Sequence, residues 1–136
     1  MFAATAWPLQ GATNNHLAAA FALCRNYGGE GSVVGDTAVA ASTSDRVQTS
    51  VYAFTHSDLA NAAESVAINK QASSQSVTIQ TGAAPAFTSV AVYELLPGHP
   101  GVTPASGAAP SITWACNRCS LTFTMPARSA STIVLR

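Results

Sequence analysis

Glu30, Glu64 and Glu94, with His16, His56, His99 and the cysteines Cys24, Cys116 and Cys119, are the residues of this chain best equipped for chemistry beyond packing. Acid–base work between carboxylates needs two of them across one cleft, one protonated while the other is ionised. The spacing places no two of these glutamates together. Each is expected to be an ordinary surface or capping carboxylate. His56 and Asp58 lie two positions apart on an expected loop, with no G-x-S-x-G elbow and no nucleophile in view, so His56 reads as a loop histidine rather than part of a triad. No catalytic residue is nominated.

Cys116-Asn117-Arg118-Cys119 has the C-x-x-C spacing shared by redox motifs, zinc half-sites and tight disulfides. A redox pair wants a helix N-terminus after a strand, whereas this pair falls between Ile112-Thr113-Trp114 and Leu121-Thr122-Phe123, which reads as a hairpin. A structural zinc site wants a second ligand pair, and the histidines do not supply it. Free thiols or a hairpin disulfide are expected, and Cys24 is expected in the core of a helix. Asp36, at the bend Gly35-Asp36-Thr37, offers one carboxylate against the six to eight oxygens that calcium takes. No metal and no cofactor is expected. Gly28-Gly29-Glu30-Gly31 follows a helix rather than opening one, so it is a stop signal and not a phosphate loop.

The remaining composition excludes other partners. Six basic and six acidic residues in 136 give zero net charge, so no field is available to draw in phosphate backbones or anionic lipids. Nucleic acid and membrane are not expected partners. The apolar run Leu17–Leu23 falls far short of the roughly 20 residues of a bilayer span. Met1-Phe2-Ala3-Ala4 lacks the basic start of a signal peptide. The length suits one adequate core.

Leu17, Ala20, Phe21 and Cys24 recur at i, i+3, i+4 and i+7, which predicts an amphipathic helix over 14–27 with that stripe buried. Thr13, Asn14 or Asn15 would cap it, and Gly28-Gly29 would end it. After Gly31 the period changes from 3.6 to 2. Strands are expected over 33–41, 47–54, 65–69, 76–81, 88–95, 111–114, 120–125 and 130–135. The turn Ser42-Thr43-Ser44-Asp45 favours side-chain bonds to its own backbone. Pro97–Pro110 reads as the longest and most mobile loop. The fold class is all-β: an antiparallel β-sandwich of about eight strands preceded by one N-terminal α-helix.

These residues carry a resemblance. "AFALCRNYGGEGSVVGDTAVAASTSD", "VYAF" and "VAINK", between Ala19 and Lys70, resemble the junction and first strands of the C-terminal domain in family 44 glycoside hydrolases and their clan A relatives. The ending "CSLTFTMPARSASTIVLR" is similar to that domain's last two strands, while Gln71–Ala115 matches only in pattern. Gly28 departs from the family pattern, which tends to have Asp there, and Val33-Val34 replaces a more polar and aromatic pair. The resemblance implies residues 1–31 as the remnant strand and helix of a (β/α)8 barrel with its junction, and 32–136 as the sandwich. Such barrels hold two glutamates about 5 Å apart for retaining chemistry, and that upstream region lies outside this sequence.

The implied function is that of a non-catalytic accessory domain of a cellulase- or xyloglucanase-like enzyme, stabilising its barrel and assisting β-glucan binding. The alternative is a stand-alone carbohydrate-binding module or a small oligomeric glycoside hydrolase. Aromatic faces stack on sugar rings, and Trp7, Tyr52, Phe54 and Trp114 are the candidate binding residues, with Tyr93 a further aromatic. On a strand Tyr52 and Phe54 share one face. Aromatics at strand spacing more often pack inside. Tyr27, at the helix exit, is expected to pack the helix on the sandwich. Expected partners are a β-glucan, and a catalytic barrel or a second copy engaged through residues 1–27. Attachment to a parent enzyme of this kind implies a secreted or periplasmic location.

Overall fold

The computed structural model describes residues 16–82, 87–106, 111–115 and 118–136, with 111–115, 118 and 119 described by backbone alone. Among the described residues, one helix, α1 (His16–Arg25), precedes nine strands. The strands are β1 (Thr37–Val39), β2 (Thr49–Thr55), β3 (Ala63–Asn69), β4 (Gln75–Gln80), β5 (Val90–Leu95), β6 (Val102–Pro104), β7 (Ser111–Ala115), β8 (Arg118–Met125) and β9 (Ala130–Leu135). They form a six-stranded sheet, β1-β2-β3-β9-β5-β6, facing a three-stranded sheet, β4-β8-β7. Every pairing is antiparallel. The expected all-β sandwich with one leading helix is the architecture found.

The central strand β9 explains the layering. Ser131, Thr132, Ile133, Val134 and Leu135 are all buried, as a strand covered on both faces must be. Ile133 and Leu135 point inward and meet Ala67, Val92, Leu121, Phe123 and Met125 in the core between the sheets. Thr132 and Val134 point outward beneath α1. The Thr132 hydroxyl donates to the Leu23 carbonyl at 2.6 Å, tying the helix to the sheet's outer face.

The helix runs as the spacing predicts, but its expected buried stripe does not pack on the sandwich. Leu17, Ala20 and Phe21 are exposed and Cys24 is half-buried, whereas Ala19 and Leu23 are the buried positions. Ala19 and Leu23 continue at i+4 into Tyr27, whose ring meets Tyr93 of β5 with centroids 5.2 Å apart. The small Ala19 lets the helix approach, and the Tyr27 anchor fixes its roll. The expected packing role of Tyr27 is thus found, on a different stripe. The helix ends at Arg25, before the expected stop Gly28-Gly29; Gly29, at φ 78°, turns the chain in the loop that follows. The expected cap, Thr13 to Asn15, lies outside the described residues.

Two strand expectations need correction. Of 33–41 only Thr37–Val39 pairs, because the Gly35 N–H goes to a side chain, Glu64 Oε2 at 3.0 Å, instead of a neighbouring strand. The stretch 97–110 is not one loop: Val102–Pro104 forms β6 beside β5. Pro104 is tolerated there because β6 is an edge. The Ser42–Asp45 turn behaves as expected, with Asp45 Oδ1 accepting the backbone N–H groups of Val47 and Gln48 at 3.0 and 3.1 Å.

Candidate functional site

Glu64 departs most from its sequence expectation. It is fully buried, not a surface carboxylate. Register sets it on the outer face of β3, opposite Phe54 and Val134. Arg136 Nη1 lies 2.6 Å from its Oε1, and His56 Nε2 lies 3.0 Å from Oε2, the oxygen that also takes the Gly35 N–H. Arg136 Nη2 reaches the Tyr27 hydroxyl at 3.5 Å, and burial first, then the Glu64 charge, raises that phenol above its ordinary range. The loop leaving α1, the turn after β2 and the end of β9 therefore converge on one carboxylate. A charged residue inside the apolar strand Ala63–Asn69 was the signal; partners so distant in sequence were not legible.

Glu94 is also buried, again against expectation, and it lies on the opposite, inner face of the same sheet beside Ser131. Burial pushes its carboxyl above the ordinary carboxylate range. The Ser131 hydroxyl is buried without a hydrogen-bond partner among the described residues. Glu30 is exposed in the helix exit at φ 55°. The thickness of the sheet separates Glu64 from Glu94, so they share no cleft. His56, on the turn after β2, serves the Glu64 cluster.

The aromatic candidates divide. Tyr52 and Phe54 share the outer face of β2, Tyr52 at 54% exposure and Phe54 half-buried. Trp7 lies outside the described residues, and Trp114 is placed by its backbone in β7 and no further. Tyr93 is taken up by Tyr27. Asp36 spends its carboxylate on the protein: Oδ1 accepts Ser57 N–H and the Thr37 hydroxyl, and Oδ2 the Ser57 hydroxyl. The Ser57 bonds, foremost, hold it below the usual range. Among the described residues, no three His, Cys, Asp or Glu side chains gather as metal ligands. No helix among them is long and apolar enough to cross a membrane. Cys24 is a free thiol. Cys116 lies outside the described residues, and β7 and β8 pair antiparallel on either side of Cys116-Asn117 as the hairpin expectation requires.

The sandwich, its leading helix and the loop between them superpose on solved glycoside hydrolases. A Paenibacillus polymyxa xyloglucanase of family 44, solved with xyloglucan, matches 95% of this chain at 32% identity and TM-score 0.77. The solved structures that match more than 90% of this chain at 28–34% identity are family 44 glycoside hydrolases. A family 44 endoglucanase from Clostridium acetobutylium matches 95% at 28% identity and TM-score 0.77, and one from Clostridium thermocellum 92% at 29% and 0.76. This chain spans 24% of the length of each of these three. No protein-family model matches the chain, and no curated protein does.

The motifs that carry the family 44 resemblance prove to be scaffold. Asn26 Oδ1 accepts the Gly31 N–H at 2.8 Å, and Gly35 lies against the Thr55 backbone. In "VAINK", Val66 and Ala67 are core, Asn69 Nδ2 donates to the carbonyls of Ser73 and Pro126, and Lys70 Nζ donates to the Arg46 carbonyl.

Proposed function

We propose that this chain is a non-catalytic accessory β-sandwich of a glycoside hydrolase of the cellulase or xyloglucanase type, which stabilises a catalytic barrel and assists β-glucan binding. The observation that carries the reading is the second apolar stripe of α1. Ala19 and Leu23 already pack on the sheet, while Leu17 and Phe21 stay 47% and 44% exposed. A ten-residue helix with apolar residues on two sides is built to sit between two bodies. The sandwich is one, and the barrel of an enzyme four times as long is the other. With the barrel absent, the same stripe drives self-association through residues 1–27.

The carboxylates support the non-catalytic part. Retaining glycosidases need two carboxyls about 5 Å apart, and inverting ones about 6.5–9.5 Å apart. Here one buried glutamate is committed to Arg136 and His56, and the other faces the opposite layer. For glucan binding, Tyr52 is the exposed ring and Phe54 its neighbour on one face, a platform for sugar C–H faces.

Hydrolysis of soluble xyloglucan and β-1,4-glucan by the isolated chain tests the first part. No turnover is expected, and turnover abolished by Glu30→Gln, Glu64→Gln or Glu94→Gln would overturn it. Retention on xyloglucan gels, reduced by Tyr52→Ala, tests the second; equal retention of both proteins removes the platform.

A further inference from the structure

The outer face of the larger sheet ends, beside the start of α1, in a groove whose charges are all of one sign. Its lining brings together His16 of α1, Lys70 just after β3 and Arg128 in the turn between β8 and β9, and contains no Asp or Glu. Two of the six lysines and arginines of a chain with zero net charge thus stand around one apolar floor, made chiefly by Ile68, Leu95 and Pro97. Ile68 and Leu95 both pair with Ala130 of β9, which fixes the floor on the face that carries the helix.

No acid of the protein consumes these basic groups. Lys70 Nζ donates to the Arg46 carbonyl at 3.0 Å, a neutral acceptor that leaves its charge uncompensated. The Arg128 guanidinium makes no hydrogen bond or ion pair among the described residues. At φ 49° a glycine would be less strained there, so the turn itself does not call for an arginine. His16 Nε2 is closed off from solvent and has no hydrogen-bond partner among the described residues. A buried ring nitrogen left without a partner calls for an explanation, and beside two uncompensated cations the explanation is an anion that serves all three.

The rest of the face says what body the anion carries. Tyr52 lies opposite Val66 in the β2–β3 ladder, and Ile68 is two residues further along β3 on the same outer face. Such diagonal neighbours are about 7–8 Å apart. A sugar ring stacked on Tyr52 and another over Ile68 therefore belong to one oligosaccharide. A hexuronate has both parts that the groove matches, an apolar C–H face for the floor and a carboxylate for the basic rim, while its hydroxyls lie at the ring's edge and stay in water. A peptide C-terminus would instead set main-chain amides against aliphatic side chains that cannot pair with them.

We propose that this groove is a binding site for a hexuronate unit: Arg128 and Lys70 hold the carboxylate, His16 Nε2 completes its hydrogen bonds, and the ring lies on Ile68, Leu95 and Pro97. The site makes the domain selective for acidic stretches of a polysaccharide. Only the polymer rests on the glucan-binding reading; the affinity of the groove for the single sugar does not.

Methyl β-glucuronide and methyl β-glucoside, which differ in the carboxylate alone, are titrated into the isotopically labelled 136-residue chain and followed by NMR. The glucuronide is expected to shift the amides of residues 68–70, 95–96 and 128–130 saturably, with an affinity roughly tenfold above that of the glucoside that falls as salt is raised. Arg128→Gln should weaken glucuronide binding roughly tenfold with an unchanged melting temperature, and Arg128→Lys, which keeps the charge, should lose less. The proposal is overturned if the two glycosides bind alike, if acetate shifts the same amides with equal affinity, or if acetyl-leucine binds more tightly than the glucuronide. Tyr52→Ala is expected to leave the glucuronide shifts in place. Should neutral xyloglucan fail to bind while the glucuronide still does, the Tyr52 platform falls and this site stands; the reverse result sinks this site alone.

Discussion

Arg136 brings Nη1 to 2.6 Å from Oε1 of Glu64, a carboxylate with no solvent exposure, at the point where the helix exit meets the sheet. Removing one partner of a buried ion pair leaves the other charge and its hydrogen-bond donors unmatched, at a cost of about 3–5 kcal/mol. Arg136 is 36% exposed and regains some water, so Glu64→Ala should sit near the lower end of that range. Glu64→Gln keeps an acceptor for the Gly35 N–H and should cost less. Thermal melts of both variants check the ranking. Equal melting of Glu64→Ala and the unaltered chain would mean the carboxylate anchors nothing.

Glu94 should make stability fall as pH rises. Its folded carboxyl titrates above the unfolded value because burial disfavours the charge. The native state therefore holds the proton longer than the unfolded chain does. The contribution is fully present below the ordinary glutamate pKa, about 4.3, and is lost as pH rises through the raised folded value. Glu94→Gln should raise the melting temperature at pH 7 and leave it nearly unchanged at pH 4. Asp36 has the opposite sign: the Ser57 and Thr37 bonds depress its folded pKa, so its contribution is present above the unfolded value and lost as pH falls through the depressed one. Melts from pH 3 to 8 of Glu94→Gln and Asp36→Asn separate the two slopes; a flat difference for Glu94→Gln would sink the assignment.

Gly35 and Gly28 sit in the same joint but should tolerate alanine differently. A Cβ on Gly35 would meet the Thr55 carbonyl oxygen at 2.1 Å, a backbone atom that no rotamer change moves away. Gly35→Ala should therefore cost about 3 kcal/mol, the upper end for overpacking, and weaken the Gly35 bond to Glu64. A Cβ on Gly28 would meet the Ser32 hydroxyl at 3.0 Å and the Tyr93 hydroxyl at 3.3 Å, both on side chains. Gly28→Ala should cost less than about 1 kcal/mol by the same reasoning. Denaturant midpoints decide, and equal costs would refute the joint as described.

The strands were legible because one face of each is wet and the other dry, or because, as in Thr132-Ile133-Val134, a β-branched run accompanies burial on both sides. The short β6 was not, since Val102-Thr103-Pro104 is extended only by its pairing with Tyr93-Glu94-Leu95. The site was less legible than the fold. Glu64, His56 and Arg136 meet through three separate chain segments, and no local pattern encodes that meeting. Leu17 and Phe21 were expected in a buried stripe and are exposed, because periodicity marks that a face is apolar and not whether it is covered.

That distinction gives the helix two faces that can be tested apart. Leu23 is 3% exposed and packs where Thr132 fixes the helix, so Leu23→Ala should cost about 2–5 kcal/mol in the isolated chain. Leu17 is 47% exposed, so Leu17→Ser, alone or with Phe21→Ser, should leave stability within about 0.5 kcal/mol, as for surface changes away from special features. The same substitutions should abolish self-association in sedimentation velocity, which Leu23→Ala leaves intact at temperatures where it stays folded. If Leu17→Ser destabilised the monomer as strongly as Leu23→Ala, the stripe would belong to the sandwich core and no second body would be needed to explain it.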